Sequence, residues 1–277
     1  MLKRVDRVQI VVHDRDQAVR TAAAVFGAEV ASSDRVEPLG AQRTAVRAGA
    51  SMIEFLEVDG AGPVADFVAR WGGGLYAAGF AVADLNAAAA LLARNRVGFA
   101  RAADQIFLDA GATCGMPVVL SPFEERVSVG AIKWTYEVTN VVADWSAAAA
   151  RYARIFGLDS SKYVPIEHDE FGYRGTLTMF DAPARLDRIE ISQPTKDAAM
   201  GRFHRRRGDA LYMFYVEADS VEAIAERLRA RGGRFTPRRE GVHDGLWIHP
   251  TAFCGVLVGV SRTSVAWRWS GDPARGR

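Results

Sequence analysis

The sequence predicts an α+β fold of four β-α-β-β-β modules, paired within two similar halves. Three short markers recur in the same order along the chain. They are VFGA at 25–28 with IFGL at 155–158, LY at 75–76 with LY at 211–212, and a Cys-Gly pair at 114–115 with another at 254–255. The offsets grow slowly, from 130 to 136 to 140 residues. One pair could be chance, but three in order predict a duplicated half with small loop insertions.

Hydrophobic patterning divides each half into two modules. The first half is expected to contain a strand at 5–12, a helix at 16–26, strands at 44–46 and 51–58, a strand at 75–82, a helix at 86–95, and strands near 106–109 and 117–120. Gly27 can take the left-handed conformation that ends a helix. The second half repeats the cycle with helices at 146–156 and 221–231. Helical connectors are expected at 63–70 and 198–206.

These patterns predict a first domain at 1–124, a second domain at 131–265 and a C-terminal tail at 266–277. The segment between the domains is charged and contains glycine. The tail holds Trp267-Arg268-Trp269, which is apolar enough to pack on a neighbouring lobe or on a second chain. A homodimer is therefore one of the expected partners.

Composition is that of a globular protein, with 49% hydrophobic and 25% charged residues. A formal net charge of +2 gives no field that would favour nucleic acid or an acidic membrane. No apolar stretch is long enough for a signal peptide core or a membrane span. Cys114 and Cys254 are expected as reduced thiols in the cytoplasm, with a single disulfide as the less favoured alternative.

The middle of each half resembles methylmalonyl-CoA epimerase-like proteins of the vicinal oxygen chelate (VOC) superfamily, which groups glyoxalases, bleomycin-resistance proteins and extradiol dioxygenases. In the second half, the IEISQP phrase at 189–194 leads through a helix into Leu211-Tyr212. In the first half, IEFLE at 53–57 leads through 67–74 into Leu75-Tyr76. The resemblance implies two cupped mixed-sheet VOC domains, each with a central cavity that holds a divalent metal in many relatives.

Transferred by position, the family's four metal-ligand positions fall on residues that cannot form the usual chelate. In the first half they are Arg7, Glu54, Ala77 and Val119, and in the second Glu137, Glu190, Tyr212 and Gly259. Alanine, valine and glycine have no ligating side chain, and arginine repels a cation. No metal and no other cofactor is therefore expected. Arg7 and Glu54 could instead form a buried ion pair that closes the first cavity.

Glu137, Glu190 and Tyr212 are the candidate catalytic residues. If they face one cavity, they could act as general acid and base or bind a cationic group, because two close carboxylates push one pKa upward. The alternative is that each carboxylate faces solvent or pairs with an arginine. No cation is assigned among the four second-half positions and Gly259 opens space, so the larger polar cavity is expected in residues 132–261.

Candidate substrate-binding residues are His168, Trp134, Trp247 and His249. His168 is expected in a loop that could close over the cavity, and each tryptophan could line a pocket for a flat ligand. Polar surface for His168, core packing for both tryptophans and a structural role for His249 are the alternatives.

Two functions fit these features. One is a metal-independent isomerase, epimerase or lyase that acts on a small organic substrate through the second half. The other is a protein that binds or sequesters a small molecule without catalysis, of the bleomycin-resistance type. An unusual metal centre built from Glu137, Glu190 and His168 is the third and least favoured alternative.

Overall fold

Each half of the chain forms one eight-stranded sheet. The computed structural model describes residues 1–182, 184–240, 243–267, 269 and 270. The first lobe contains β1 (Leu2–Val11), α1 (Arg15–Phe26), β2 (Glu29–Val36), β3 (Ala41–Ala48), β4 (Ser51–Val58), α2 (Pro63–Trp71), β5 (Gly74–Val82), α3 (Leu85–Arg94), β6 (Ala100–Ala102), β7 (Gln105–Leu108) and β8 (Val118–Pro122). The second lobe contains β9 (Trp134–Val141), α4 (Trp145–Phe156), β10 (Val164–His168), β11 (Tyr173–Asp181), β12 (Arg185–Pro194), α5 (Ala199–Arg207), β13 (Ala210–Glu217), α6 (Val221–Arg229), β14 (Phe235–Glu240), β15 (His243–Ile248) and β16 (Leu257–Ser261).

The two sheets have the same topology. Strand order is β2-β3-β4-β1-β5-β8-β7-β6 in the first and β10-β11-β12-β9-β13-β16-β15-β14 in the second. In each sheet the first strands of the two modules are antiparallel neighbours, and each pairs in parallel with the last strand of its own module. The predicted α+β fold of four paired β-α-β-β-β modules is confirmed.

The two longest helices begin and end in the same way. Asp14 accepts a hydrogen bond from the backbone N–H of Gln17 before α1, and Asp144 does so from Ala147 before α4. Both helices end at a glycine with a left-handed backbone, Gly27 at φ 69° and Gly157 at φ 62°. A side chain is strained at such a φ, which explains the glycine in both recurring markers.

One hydrophobic core runs through both lobes. Its aromatic members meet across the lobe boundary, with ring centroids 4.9 Å apart for Phe26 and Phe253 and 6.2 Å apart for Phe80 and Phe156. The backbone N–H of Val5 in β1 also donates to Asp187 Oδ1 in β12, at 2.8 Å. Helices α1, α3, α4 and α6 and one face of each sheet therefore share a continuous core.

The opposite face of each sheet forms a cup. The first cup is defined by Arg7, Glu54, Tyr76, Phe107 and Val119. The second cup is defined by Glu137, Glu190, Tyr136, Tyr215 and Trp267. Trp267 and Trp269 of the predicted tail thus pack inside their own lobe, not on a neighbouring one as expected. Among the described residues no helix is long and apolar enough to cross a bilayer.

Candidate functional site

The centre of the first cup is occupied by charged groups that satisfy one another. Arg7 Nη1 donates to Glu54 Oε1, and Arg43 Nη1 lies 3.3 Å from the same oxygen. Gln9 Nε2 donates to Glu54 Oε2 at 2.8 Å. Burial alone would raise the pKa of Glu54, but Arg7 and Arg43 outweigh it and lower that pKa. The Arg7–Glu54 ion pair considered from the sequence is present, and Glu54 is a fixed carboxylate.

Little space remains around these charges. A cavity of about 130 Å³ lies against Arg7, Arg43 and Glu54. Burial lowers the pKa of Arg7, but Glu54 and Asp6 overcome that effect and raise it, so the guanidinium stays charged. The charged side chains therefore fill most of this part of the first cup.

The second cup contains a different ion pair. Arg188 Nε donates to Glu137 Oε2, and both side chains are fully buried. Arg188 also donates to the carbonyls of Leu186 and Ser264, at 3.0 and 2.9 Å. The expectation that neither second-half acid has a matched cation is wrong for Glu137, because Arg188 lies directly opposite it on β12.

Glu190 is buried without such a cation. Ser192 Oγ donates to its Oε1 at 2.6 Å and Thr139 Oγ1 to its Oε2 at 3.4 Å. No lysine or arginine among the described residues forms an ion pair with it. Burial, followed by the charge of Glu137, raises the pKa of Glu190 well above its usual range. Burial and the neighbouring Glu137 therefore favour the protonated form of Glu190 over its charged form.

The tyrosine facing Glu137 is not the expected one. A bulge between Leu211 and Met213 displaces Tyr212 from the register, and Tyr215 lies opposite Glu137. Tyr212 is half-buried and packs edge-on against Phe203, at 4.8 Å. Burial, with a contribution from Glu190, raises the pKa of Tyr212, so its hydroxyl can donate but does not ionise at neutral pH. Burial and both glutamates raise the pKa of Tyr215 further.

Gly259 does not open space in the second cup. The ring of Tyr215 lies over it so closely that an added Cβ would come within 2.0 Å of Cδ1. The glycine therefore accommodates a tyrosine. The expected polar cavity is replaced at this point by an aromatic ring.

A stack of aromatic rings fills the rest of the second cup. Trp247 and Trp267 are parallel at 5.3 Å, and Trp267 and Trp269 are nearly parallel at 5.6 Å. His168, the last residue of β10 and not part of a loop, is buried and meets Trp269 edge-on at 5.1 Å. Its ring also lies 4.4 Å from that of Phe171. His168 and Trp247 thus belong to the second cup together with the tail.

The other two predicted ligand-binding residues lie elsewhere. Trp134 is half-buried at the start of β9, with the Arg185 guanidinium 4.8 Å from its ring, beside a cavity of about 280 Å³. His249 precedes the short 3-10 turn Pro250–Ala252, where its Nδ1 accepts from the Thr251 N–H at 3.4 Å. That contact matches the structural role considered for His249.

Sequence reasoning missed several members of the second cup. Arg188 lies two residues before Glu190 on the same strand, so alternation in a β-strand already placed both side chains on one face. To predict that Tyr136 and Tyr215 lie in the second cup, one must know where β9 and β13 are bulged. Trp267 and Trp269 follow the last strand, and no local pattern shows where such a tail folds back.

The side chains in the metal-ligand positions do not fit a divalent cation. In the first cup two guanidiniums already hold Glu54, and in the second Arg188 holds Glu137. A cation placed there would compete with fixed positive charges. Across the part of the chain that the structure describes, no group of three or more His, Cys, Asp or Glu side chains could hold a metal.

One solved structure supports the fold over both lobes, and two others are similar to a single lobe. A triple mutant of 4-hydroxymandelate synthase from Streptomyces coelicolor matches with a TM-score of 0.71 and 12% identity, covering 94% of this chain and 92% of that one. Methylmalonyl-CoA epimerase from Mycobacterium tuberculosis matches with a TM-score of 0.41 and 23% identity, covering 47% and 88%. A variant of the Streptomyces coelicolor epimerase in complex with 2-nitronate-propionyl-CoA gives 0.40 and 26%, covering 44% and 98%.

The sequence was compared with curated proteins and with the profiles of protein families. No curated protein matches the chain significantly. The sequence profile of the glyoxalase/bleomycin resistance protein/dioxygenase superfamily matches residues 6–111 and 137–249, one segment in each lobe. Together these segments span more than half of the chain. The protein therefore belongs to the glyoxalase/bleomycin resistance protein/dioxygenase superfamily, with one such unit in each lobe.

Proposed function

We propose that this protein is a metal-independent enzyme that moves a proton on a small organic substrate in the second cup, as an isomerase, an epimerase or a lyase. The observation that carries the proposal is the state of Glu190. It is a buried carboxyl with a raised pKa beside a second carboxyl, and no cation pairs with it among the described residues. Such perturbed groups concentrate at active sites, because burying them is costly without a use.

The two carboxyls have complementary roles. Glu190, whose protonated form burial favours, is the general acid toward an oxygen that becomes negative. Glu137 is paired with Arg188 and is the general base that accepts a proton. Two close carboxyls in different surroundings, one paired with an arginine and one not, form an acid and base pair. Tyr212 can add a second hydrogen-bond donor near Glu190.

The aromatic stack indicates the kind of substrate that fits. Trp267 lies 5.6 Å from Tyr215, whose pKa Glu190 also raises, so the tail and the acid share one cup. We infer that a substrate displaces Trp267 and Trp269 to enter the second cup, since both rings pack inside it. A flat apolar body with a carbonyl could take their place against Trp247.

Binding without catalysis is the second candidate. It is favoured by the same stack, since Trp247 and its neighbours offer wide aromatic surface whatever the chemistry of Glu190. A protein that sequesters a flat molecule needs only that surface and displacement of the tail.

Exchange of carbon-bound hydrogen separates the two candidates. The protein is incubated in D₂O with a panel of 2-oxo acids and acyl thioesters, and deuterium uptake next to the carbonyl is followed by proton NMR. Wild-type protein is expected to exchange at least one compound, and Glu190→Gln to be slower by about 100-fold or more. Glu57→Gln, a half-exposed first-lobe control, should match wild type. Equal rates for wild type and Glu190→Gln would contradict the proposal, and binding without exchange would support sequestration.

A further inference from the structure

A cavity lies at the aromatic end of the first cup, where the first lobe meets α5. It has a volume of about 740 Å³, within the range of small-molecule sites. Aromatic side chains form much of its wall, namely Phe67, Trp71, Tyr76, Phe99 and Phe107. Neither Glu137 nor Glu190 lines it, so the cavity is distinct from the second cup and does not depend on the proposed enzymatic function.

One cation in this cavity is unusual. The guanidinium carbon of Arg207 lies 5.5, 4.9 and 5.7 Å from the rings of Phe67, Trp71 and Phe203. Its Nε is buried with no hydrogen-bond partner among the described residues. Burial, followed by the charge of Arg206, lowers its pKa. Aromatic faces position the guanidinium, but they supply none of the acceptors that its N–H groups require.

The acids that line the cavity do not pair with Arg207. Asp209 accepts from the Ala143 N–H at 2.8 Å and lies 2.9 Å from His204 Nε2. Asp109 accepts from the Ala112 N–H at 2.8 Å. Asp66 lies in the first turn of α2, and neither it nor the other two forms an ion pair with Arg207. The Arg207 end of the cavity therefore keeps an uncompensated positive charge.

We propose that this cavity binds an aromatic carboxylate, with the carboxylate on Arg207 and the ring among Phe67, Tyr76 and Phe107. A planar guanidinium donates to both oxygens of a carboxylate, and charge-assisted bonds of this kind are stronger than bonds between neutral groups. Phe67 and Tyr76 already meet edge-on at 5.3 Å, which gives a planar ring one face and one edge to pack against. Burial raises the pKa of Tyr76 to about 12, so its hydroxyl stays neutral beside an anion.

Calorimetric titration with 2-naphthoate tests this site, with uncharged 2-naphthylmethanol as the matched ligand. Wild-type protein is expected to bind 2-naphthoate more tightly than the alcohol. Arg207→Gln should weaken 2-naphthoate by about tenfold or more and leave the alcohol unchanged. Arg206→Gln, the exposed neighbour on the same helix, should change neither.

Three results would overturn the proposal. They are no binding of 2-naphthoate to wild type, equal binding to wild type and Arg207→Gln, or an equal loss in Arg206→Gln. Thermal melts check that each variant folds. If Arg207→Gln does not fold, Arg207→Lys decides, because it keeps the charge but loses the planar fork. It should still weaken 2-naphthoate and leave the alcohol unchanged, and unaltered 2-naphthoate affinity would contradict the site.

Discussion

Glu54 and Glu190 occupy matching positions on β4 and β12, but their surroundings shift their pKa values in opposite directions. Glu54 is held by Arg7 and Arg43, which lower its pKa against the effect of burial. Glu190 has hydroxyl donors and a second carboxyl as neighbours, so burial raises its pKa. The pKa shifts differ because the arginine that pairs with a glutamate lies on a different strand in each lobe. It lies on β1 in the first lobe, as Arg7, and on β12 in the second, as Arg188.

We predict that Glu54→Gln and Glu190→Gln change stability in opposite directions. Glu54→Gln removes the buried carboxylate that Arg7 and Arg43 share, although Asp6 still pairs with Arg7 and Asp34 with Arg43, so the free energy of unfolding should fall by about 3 kcal/mol. Glu190 binds its proton more tightly in the folded state than in the unfolded chain. Wild type therefore loses stability as pH rises above the usual range of a glutamate, and Glu190→Gln removes that loss.

Urea denaturation at about pH 5 and about pH 8 measures the stability of each variant relative to wild type. Glu190→Gln should be at least as stable as wild type at the higher pH, and its advantage should shrink at the lower one. A Glu190→Gln variant that loses as much stability as Glu54→Gln at both pH values would show that Glu190 is an ionised, paired carboxylate.

At the level of single residues, the sequence located Glu137 and Glu190 correctly on paired strands but could not assign their partners. The position of Arg188 on the same face as Glu190 can be predicted from the alternation of side chains along β12. Tyr215 does not, because one bulged residue in β13 turns Tyr212 out of the register. Side-chain direction after a bulge depends on the neighbouring strand, which no local pattern reports.

Strand β16 shows how an element adapts to a bulky neighbour. Tyr215 on β13 lies beside Gly259 in the parallel pairing of these strands, and its ring covers the glycine. Even an alanine Cβ would come within 2.0 Å of that ring. The glycine and the tyrosine therefore form a size-matched pair in the sheet.

We predict that Gly259→Ala lowers the free energy of unfolding by about 2 kcal/mol, because the Tyr215 ring must leave its position. Gly98→Ala is the control, since no atom lies within 4 Å of an added Cβ there, and its effect should stay within about 0.5 kcal/mol. Thermal melts of both variants provide the measurement. Equal melting temperatures for Gly259→Ala and wild type would show that the ring moves without cost.

Helices and strands were the most predictable elements, for a physical reason. Each helix carries its own periodic apolar face, and Gly27 and Gly157 mark helix ends through their left-handed backbone. The tail carries no such period. Trp267 and Trp269 pack in the second cup because the apolar rings of Tyr215 and Trp247 are there, and that information comes only from the folded chain.

At the scale of the whole molecule, the two lobes are joined by a common core and by a buried polar contact. Phe80 of β5 packs against both Phe156 and Phe180 of the second lobe. Asp187 of β12 accepts the Val5 N–H of β1 at 2.8 Å and also pairs with Arg185, at 2.7 Å. The duplication was visible in the sequence, but this joint was not, because the residues that form it lie far apart in the chain.

The buried Asp187 makes this joint sensitive to pH. Burial outweighs the opposing effects of Arg185 and the Val5 N–H and raises the pKa of Asp187 from 3.8 to about 6. The folded protein therefore binds more protons than the unfolded chain between these values, and the free energy of unfolding falls as pH rises through that interval. The Asp187 contribution to this fall is on the order of 2–3 kcal/mol.

We predict that Asp187→Asn removes this pH dependence, because asparagine can still accept the Val5 N–H but does not titrate. The stability of wild type relative to Asp187→Asn should decrease from about pH 4 to about pH 6 and stay constant above that. Urea denaturation of both proteins across the interval is the measurement, and Asp169→Asn, at an exposed loop position, is the control that should show no such change. Because the contact joins the lobes, fluorescence and circular dichroism should report one coincident transition for each protein. A wild-type stability that rises relative to Asp187→Asn over the same interval would show that Asp187 is ionised in the fold, and that its ion pair with Arg185 outweighs its burial.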